Sequence, residues 1–473
     1  MDKRQLAIVL AIAALPFAAS LSPCFGAGLQ ASAWPMFQRD AEHAARSQAS
    51  ISISPSILWS VALSDSAEFS SPAIDIDGNI YIGDVGDRLN KFSSNGTFLW
   101  NYDTGGNVRR SSPAIAEDGT VYIGASDGSF HAVNPDGSNR WTFLAGGGVK
   151  TAPAVDANGA IYFGADDGVL YSLDELGALR WTYQAPDSIR SSPAIATDSL
   201  VVFGSHDGSV TAIRTDGTFR WSGTTGGAVK AGVSIGQGDD IFIPSQDGFI
   251  YALRNHGAFN WAVFTDHTLR GTPAIGVTGH VYLTVANEVW CLDDDGTQCW
   301  IAATSAALLA SPVVHTDPVT FVETVIVGSE DGFLYGISDG VIVWSVEIGA
   351  PIRSSAAISA EGVIYVGAND GRLYAIGEST PANAVLANAA SQIRVTPNPA
   401  RPGVSIDFRS SQEADGELVI LDPQGRQLET VSVHDGLATW AGTASERPLA
   451  AGVYFYEWRV VNDAQNGRFV LLR

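Results

Sequence analysis

The stretch Ser111-Ser112-Pro113-Ala114-Ile115, Val121-Tyr122-Ile123-Gly124, Asp127-Gly128, Phe130-His131-Ala132-Val133, Asp136-Gly137 and Trp141 decides the fold, because the chain repeats it throughout most of its length. Its tryptophan recurs as Trp59, Trp100, Trp141, Trp181, Trp221, Trp261, Trp300 and Trp344, at intervals of 41, 41, 40, 40, 40, 39 and 44 residues. A period near 40 marks one supersecondary unit copied in tandem. Within a unit, apolar and β-branched runs of four to six residues are divided by Asp-Gly or Asn-Gly pairs, the chemistry of tight hairpin turns. No apolar stripe at helical spacing runs between them. Four short strands per unit, arranged around an axis, make a β-propeller.

The two ends set the blade count. Copies of the Ser-Pro-Ala strand begin at Ser70, Ser111, Thr151, Ser191, Ala231, Gly271, Ser311 and Ser354, which is eight starts. The eighth copy runs through Val363-Ile364-Tyr365-Val366-Gly367 and Leu373-Tyr374-Ala375-Ile376 and then stops without a Trp strand. The first Trp strand, Ile57-Leu58-Trp59-Ser60-Val61, precedes every copy. The expected fold is therefore all-β: an eight-bladed propeller closed by an N-terminal strand, so that no edge is left unpaired between first and last blade.

Composition agrees with this and narrows the partners. The 473 residues carry 50 Gly and only 16% charged residues, which suits turn-rich β structure. A net charge of −23 repels nucleic acid and anionic membranes, so neither is an expected partner. Residues 1–27 read as a signal peptide: Lys3-Arg4, an apolar run from Leu6 to Leu21, then small residues around Gly26-Ala27. The expectation is an extracytoplasmic monomer with no membrane span, secreted or held at the outer surface of a Gram-negative-type bacterium. Export permits disulfides. Cys291 and Cys299 flank the Asp293-Asp294-Asp295-Gly296 turn, and a three-residue loop there would set them opposite one another, in reach of a bridge.

Residues 28–56 read as a lead-in and 57–378 as the propeller. Composition changes after Gly377: 379–391 is an Ala/Asn-rich linker. Residues 392–473 hold short alternating strands such as Leu418-Val419-Ile420-Leu421 and Gly452-Val453-Tyr454-Phe455-Tyr456, the pattern of a small β-sandwich.

Leu170-Tyr171-Ser172-Leu173-Asp174, Gly177-Ala178-Leu179-Arg180-Trp181 and Ser191-Ser192-Pro193-Ala194-Ile195 resemble the pyrroloquinoline-quinone-like propeller repeat, over roughly residues 34 to 378. The resemblance implies one of two functions: quinone-dependent dehydrogenase, or a binding scaffold without cofactor such as the propeller of the outer-membrane assembly machine. The enzymes resemble one another in adjacent cysteines and in a Glu/Asn/Asp calcium site, and this chain has no Cys-Cys pair. With Val395-Thr396-Pro397-Asn398-Pro399, the C-terminal segment resembles the Ig-like modules of flagellar hook-cap and type IX secretion sorting domains, departing from them at Ala400 and Ala441. Attachment or sorting is what that resemblance implies.

The main candidate site is a ring of cations. The residues just before the inner strands are Phe69, Arg110, Lys150, Arg190, Lys230, Arg270, Ala310 and Arg353, six of them basic in a chain with 27 Lys and Arg. Inner strands run along the axis, so these six meet at one mouth of the channel, where they would focus an anionic ligand such as an acidic peptide or a carboxylated glycan. The turns between second and third strands return to that mouth with Asp127, Asp167, Asp207, Asp247, Asp331 and Asp370, so the cations could instead be consumed in ion pairs. The recurring tryptophans are expected to pack between blades. Gly124-Ala125-Ser126-Asp127-Gly128 copies a nucleophile-elbow string but lies in a strand-turn-strand, the wrong setting. Ca²⁺ is the one ion whose ligand types the turns offer, at Asp75-Ile76-Asp77-Gly78-Asn79 and Asp293-Asp294-Asp295-Gly296, yet turn chemistry accounts for those residues. The eight histidines show no metal-ligand spacing, and neither metal nor cofactor is expected. The resulting expectation is an exported, non-catalytic scaffold that binds protein or carbohydrate at the cell envelope.

Overall fold

The computed structural model describes residues 29–30, 32–317, 320–378 and strand segments between 394 and 471. The expected signal peptide and linker lie outside the described residues. Eight antiparallel sheets form the propeller, each built in the order inner strand to outer strand. The first blade consists of Ala73–Ile74, Ile80–Gly83, Arg88–Phe92 and Phe98–Asp103. The eighth consists of Ala357–Ile358, Ile364–Ala368, Arg372–Gly377 and, as its outer strand, Ser56–Ala62. That outer strand pairs antiparallel with Arg372–Gly377, setting Trp59 opposite Ala375. Arg372 reinforces the closure by donating to the Ser60 hydroxyl and carbonyl at 2.9 and 3.2 Å. Among the described residues no helix is long and apolar enough to cross a membrane.

The repeated residues earn their places at the seams between blades. Each Gly ending a second strand faces a branched side chain of the next copy. A Cβ on Gly83, Gly124, Gly164 or Gly204 would lie 2.2–2.3 Å from Val108, Val149, Ile189 or Val229. The tryptophans are mostly half-buried and act as clamps rather than as deep core. The indole N–H of Trp59, Trp100, Trp141, Trp181, Trp221 and Trp261 donates to a turn carbonyl of the following blade: Ser94, Pro135, Glu175, Thr215, Asn255 and Asp294. Its ring covers the turn glycine there, as Trp181 covers Gly217. Trp344 has no such turn to cover, because the eighth blade takes its outer strand from the N-terminus. It packs inward on Gly336 and is 9% exposed. Hydroxyls near the axis link blade to blade: Ser71 N–H donates to Ser112 Oγ, Ala152 N–H to Ser192 Oγ, and Ser355 N–H back to Ser71 Oγ across the closure.

The lead-in does more than its sequence disclosed. It crosses the channel and closes it. Ile74, Ile115, Ile195, Ile235, Ile275 and Val314, at the far ends of six inner strands, donate their N–H groups to carbonyls of Trp34, Pro35, Ala41, Glu42, Ala44 and Ala45. Arg46–Ser47 adds a parallel strand to the seventh blade. Turning past successive blades requires positive φ at Gln38, Arg39, His43 and Ala45. Asp40 braces the bend by accepting the Ala44 N–H at 2.8 Å. His43 Nδ1 lies 3.0 Å from the Val233 carbonyl, and burial holds its pKa down at about 4. Burial, then the nearby Asp40, pushes Glu42 up to about 7.

Beyond the propeller, Arg394–Thr396, Ile406–Arg409 and Leu437–Trp440 form one small sheet, and Gln427–Val433, Gly416–Leu421, Gly452–Val460 and Asp463–Leu471 another. They share a core of their own, with Phe408, Leu418, Ile420, Trp440 and Tyr456 buried. This is a small β module.

Two expectations test these contacts. Gly217 sits at φ +90°, and an added Cβ would lie 2.8 Å from the Trp181 ring. Gly238 sits at φ +79° with nothing within 4 Å. Gly238→Ala therefore costs only backbone strain, about 1 kcal/mol, whereas Gly217→Ala costs about 1–3 kcal/mol more through overpacking, read from urea unfolding midpoints. The second concerns pH. Between its ordinary value of 4.5 and about 7, Glu42 is protonated in the folded chain but ionised when unfolded, so stability falls as pH rises through that window. His43 acts oppositely: stability falls as pH drops from 6.5 towards about 4. Glu42→Gln should flatten the decline from pH 5 to 7, leaving the contributions of Asp40, which burial likewise raises, and of His43, which runs the other way. Unfolding midpoints and exchange of the Ile235 amide hydrogen measure it.

Candidate functional site: a cationic pit on the propeller axis

The six basic residues converge. Arg110, Lys150, Arg190, Lys230, Arg270 and Arg353 line one open pit at the channel mouth. Phe69 completes the ring in the first blade, and Leu309, not Ala310, does so in the seventh. The copy there begins one residue earlier than its sequence suggests, since Ser311 receives the Thr272 N–H as Thr272 receives that of Gly232. Phe37 of the lead-in also lines the pit. The lead-in is bonded to the far ends of the inner strands, so this ring closes the bottom and the channel is blind.

The turn aspartates do not pair with these cations. Asp127 and Asp207 accept from Ser129 and Ser209, two residues on in their own turns. Asp167, Asp247, Asp331 and Asp370 accept the hydroxyls of Tyr171, Tyr251, Tyr335 and Tyr374 as well as the second backbone N–H of the turn. A short carboxylate at the first turn position satisfies its own backbone before it can reach the rim. The residue before it does reach, and only two copies have an acid there. Asp166 takes both Lys150, at 2.6 Å, and Arg190, at 2.8 Å. Glu330 takes Arg353 through two bonds of 2.7 and 2.9 Å. Glu68 adds a contact to Arg353 at 3.8 Å and an ion pair to Arg109.

Arg110, Lys230 and Arg270 have no acidic partner among the described residues. Arg110 lies over the Phe69 ring, 4.4 Å from its centre. Burial and then the like charges of Arg190, Arg270 and Arg110 depress the Lys230 pKa, and burial with Arg109, Arg190 and Arg270 does the same to Arg110. Asp166 shows the reverse: burial alone would raise it, but its bonds from Arg190 and Lys150 hold it below the usual carboxylate range. Unpaired cations facing one another in a half-enclosed space are an electrostatic demand for an anion.

The cysteines do not form the expected bridge; both are free thiols. A bulge between Cys291 and Leu292 sets Cys291 opposite Trp300 and Leu292 opposite Gln298, leaving Cys299 as the extra residue. The two sulfurs nonetheless lie within 4.8 Å of each other and of a His280 ring nitrogen. No spacing in the sequence signals that cluster, because the bulge alone brings Cys299 round. At the first of the turns considered for calcium, the carboxylate of Asp75 is engaged elsewhere. Asp75 accepts from the Asp77 and Asn79 backbone, the Asn79 amide and Tyr81, with Lys91 at 3.6 Å. Ser126 sits in a turn between Val121–Gly124 and Ser129–Val133, not at the start of a helix.

Comparison with known proteins agrees with this architecture. A family profile described as PQQ_2, outer membrane protein assembly factor BamB, matches residues 52–147, 86–246 and 246–382. A comparison with curated proteins gave no match. Among solved structures, BamB from Moraxella catarrhalis superposes with a TM-score of 0.58 at 15% identity, covering 69% of this chain and 98% of that one. A europium-containing methanol dehydrogenase gives 0.64 at 12% identity, covering 73% and 98%. The quinohemoprotein alcohol dehydrogenase from Comamonas testosteroni gives 0.61 at 14%, covering 78% and 83%. At these identities the likeness is one of fold.

The charge arrangement predicts an asymmetry. Lys230→Gln removes a cation surrounded by like charges, so the ligand-free protein should be unchanged or more stable by up to about 1 kcal/mol. Asp166→Asn strands Lys150 and Arg190 and should cost about 1–3 kcal/mol. Urea unfolding of the two variants should show that order.

Proposed function

The chain belongs to the PQQ-like repeat family whose profile carries the BamB description, matched over more than half its length, and from that membership we propose that it is an exported, non-catalytic scaffold of the cell envelope. Its propeller takes a carboxylate-bearing partner, an acidic peptide segment, into the cationic pit. The observation that supports this most directly is the trio Arg110, Lys230 and Arg270, presented by three blades without acidic partners around a pit whose bottom carries Phe37. An acidic side chain entering the pit would neutralise the trio, and its neighbours would find the Phe37 and Phe69 rings. The small C-terminal β module we read as the attachment or sorting element.

A quinone dehydrogenase is the competing reading, because two of the superposed proteins are alcohol-oxidising enzymes. The residues at the mouth do not fit one. The carboxylates there, Asp166, Glu330 and Glu68, are each taken by lysine or arginine. Among the described residues, no carboxylate at the pit is left without a basic partner to hold a metal cation. The observed pit is built to receive negative charge.

The test is titration with a fluorescein-labelled oligoglutamate peptide, with an oligogalacturonate of matched charge as a second arm. The peptide should bind, and binding should weaken steeply with added salt. Lys230→Glu combined with Arg270→Glu should reduce affinity by at least about tenfold, equivalent to 1.4 kcal/mol, without loss of fold. Preference for the oligogalacturonate would shift the partner to a glycan. Equal binding by wild type and the double variant would refute the pit as the site. Dye-linked alcohol oxidation after adding quinone and Ca²⁺ would refute the non-catalytic reading.

A further inference from the structure

The face opposite the cationic mouth carries a repeated device that the sixth blade alters. At the turn between first and second strands, several blades combine a carboxylate with a basic group, often through a tyrosine hydroxyl. In the first blade Tyr81 donates to Asp75 at 3.0 Å and Lys91 stands 3.6 Å from the same oxygen. The second blade pairs Arg140 with Asp118. In the third, Tyr162 donates to Asp156 at 2.7 Å while Arg180 donates to Tyr162 at 3.1 Å. The fifth pairs Arg254 with Asp240 at 2.7 Å. In each of these blades a permanent cation stands against the carboxylate or against the tyrosine hydroxyl that donates to it.

The sixth blade keeps the tyrosine, takes its carboxylate from the seventh blade and lacks the cation. Gly276 stands where Asp75 and Asp156 stand in their copies. Glu323 of the seventh blade fills the vacated space: a Cβ on Gly276 would lie 2.4 Å from its oxygens. Tyr282 donates to Glu323 at 2.6 Å, and the Glu323 side chain is 6% exposed. Among the described residues no Lys or Arg is paired with it. Arg140 and Arg180 immediately precede their tryptophans, and at that position the sixth blade has Cys299, before Trp300. Beside Cys299 lie Cys291 and His280, with potential ligand atoms of all three within 4.8 Å. His280 Nε2 is 3.3 Å from Asp293 Oδ1, and its Nδ1 is 3.1 Å from Glu323 Oε2 and 2.8 Å from Thr278 Oγ1.

We propose that His280, Cys291 and Cys299 form a zinc site on the sixth blade, with Asp293 as fourth ligand. Two sulfurs, an imidazole and a carboxylate match the ligand preference and tetrahedral number of Zn²⁺. Zinc ligands about 2.0–2.3 Å from the ion lie within about 4 Å of each other, so small side-chain rotations complete the shell. Glu323 is not a ligand in this arrangement. It accepts from His280 Nδ1 and so turns Nε2 towards the ion, the carboxylate–histidine relation common at zinc centres. The bound dication supplies beside Glu323 the positive charge that lysine or arginine supplies in the other blades.

The experiment uses the full protein, reduced, stripped of metal, incubated with zinc sulfate and desalted. One zinc per chain by elemental analysis is expected, together with a raised unfolding midpoint. Replacement by Co²⁺ should give thiolate-to-cobalt charge-transfer absorption. Cys299→Ser and His280→Ala alter exposed or half-exposed side chains, so both should fold, as circular dichroism will check. Each should lose the bound zinc and the absorption, whereas Glu323→Gln should weaken zinc affinity by about 10–100-fold. Zinc content of the unaltered protein no higher than that of Cys299→Ser would overturn the proposal. So would cysteines isolated fully as a disulfide that takes up no zinc after reduction.

Discussion

The seam between successive blades is the interaction on which everything else rests. At each of six seams an indole N–H reaches a turn carbonyl of the next copy. At four of these, a second-strand glycine also admits a branched side chain from that copy: Gly83 with Val108, Gly124 with Val149, Gly164 with Ile189 and Gly204 with Val229. No blade buries its apolar faces alone; each borrows its neighbour. Such a stack has two exposed ends unless it closes, and closure falls to Ser56–Ala62, which completes the last sheet and places Trp59 over the first blade's turn. The channel, its mouth and the positions of all candidate residues follow from that join.

Closure creates an axial hole, and the lead-in occupies one end of it. Six inner strands end in N–H groups that would otherwise face the channel, and the lead-in's carbonyls satisfy them. The left-handed residues Gln38, Arg39, His43 and Ala45 are the conformational cost of visiting blade after blade in a short span. With that end filled, the other becomes a pit, and charges that would face water across an open pore face one another. The depressed Lys230 and Arg110 pKa values express that confinement.

Repetition makes departures informative. Because every copy offers the same positions, a residue that breaks the pattern shows its purpose against its siblings. Asp166 and Glu330 turn two sectors of the rim into ion pairs, while Ser126, His206 and Gln246 at the equivalent positions leave theirs without an acid. Cys299 replaces the arginine of earlier copies, and Glu323 crosses from the next blade to occupy the place of a missing aspartate.

Period, turn chemistry and the mismatch of the two ends were legible in the chain itself: the 40-residue spacing specified the unit, Asp-Gly pairs its hairpins, and the orphan Trp59 strand the closure. The six mouth cations were legible too, since equivalent positions in a closed ring must share one rim. What paired with them was not. Whether a carboxylate reaches a neighbour or its own backbone turns on one residue of offset, and Asp167 and Asp166 read alike in a string of letters. The place of Cys299 likewise depended on a bulge that moves one residue across the pleat, and the plugging of the channel on backbone conformations that Gln38 and His43 adopt only because six strand ends await them. Periodicity is a local property, written in order along the chain; the partners of a side chain are set by distances that exist only once the ring has shut.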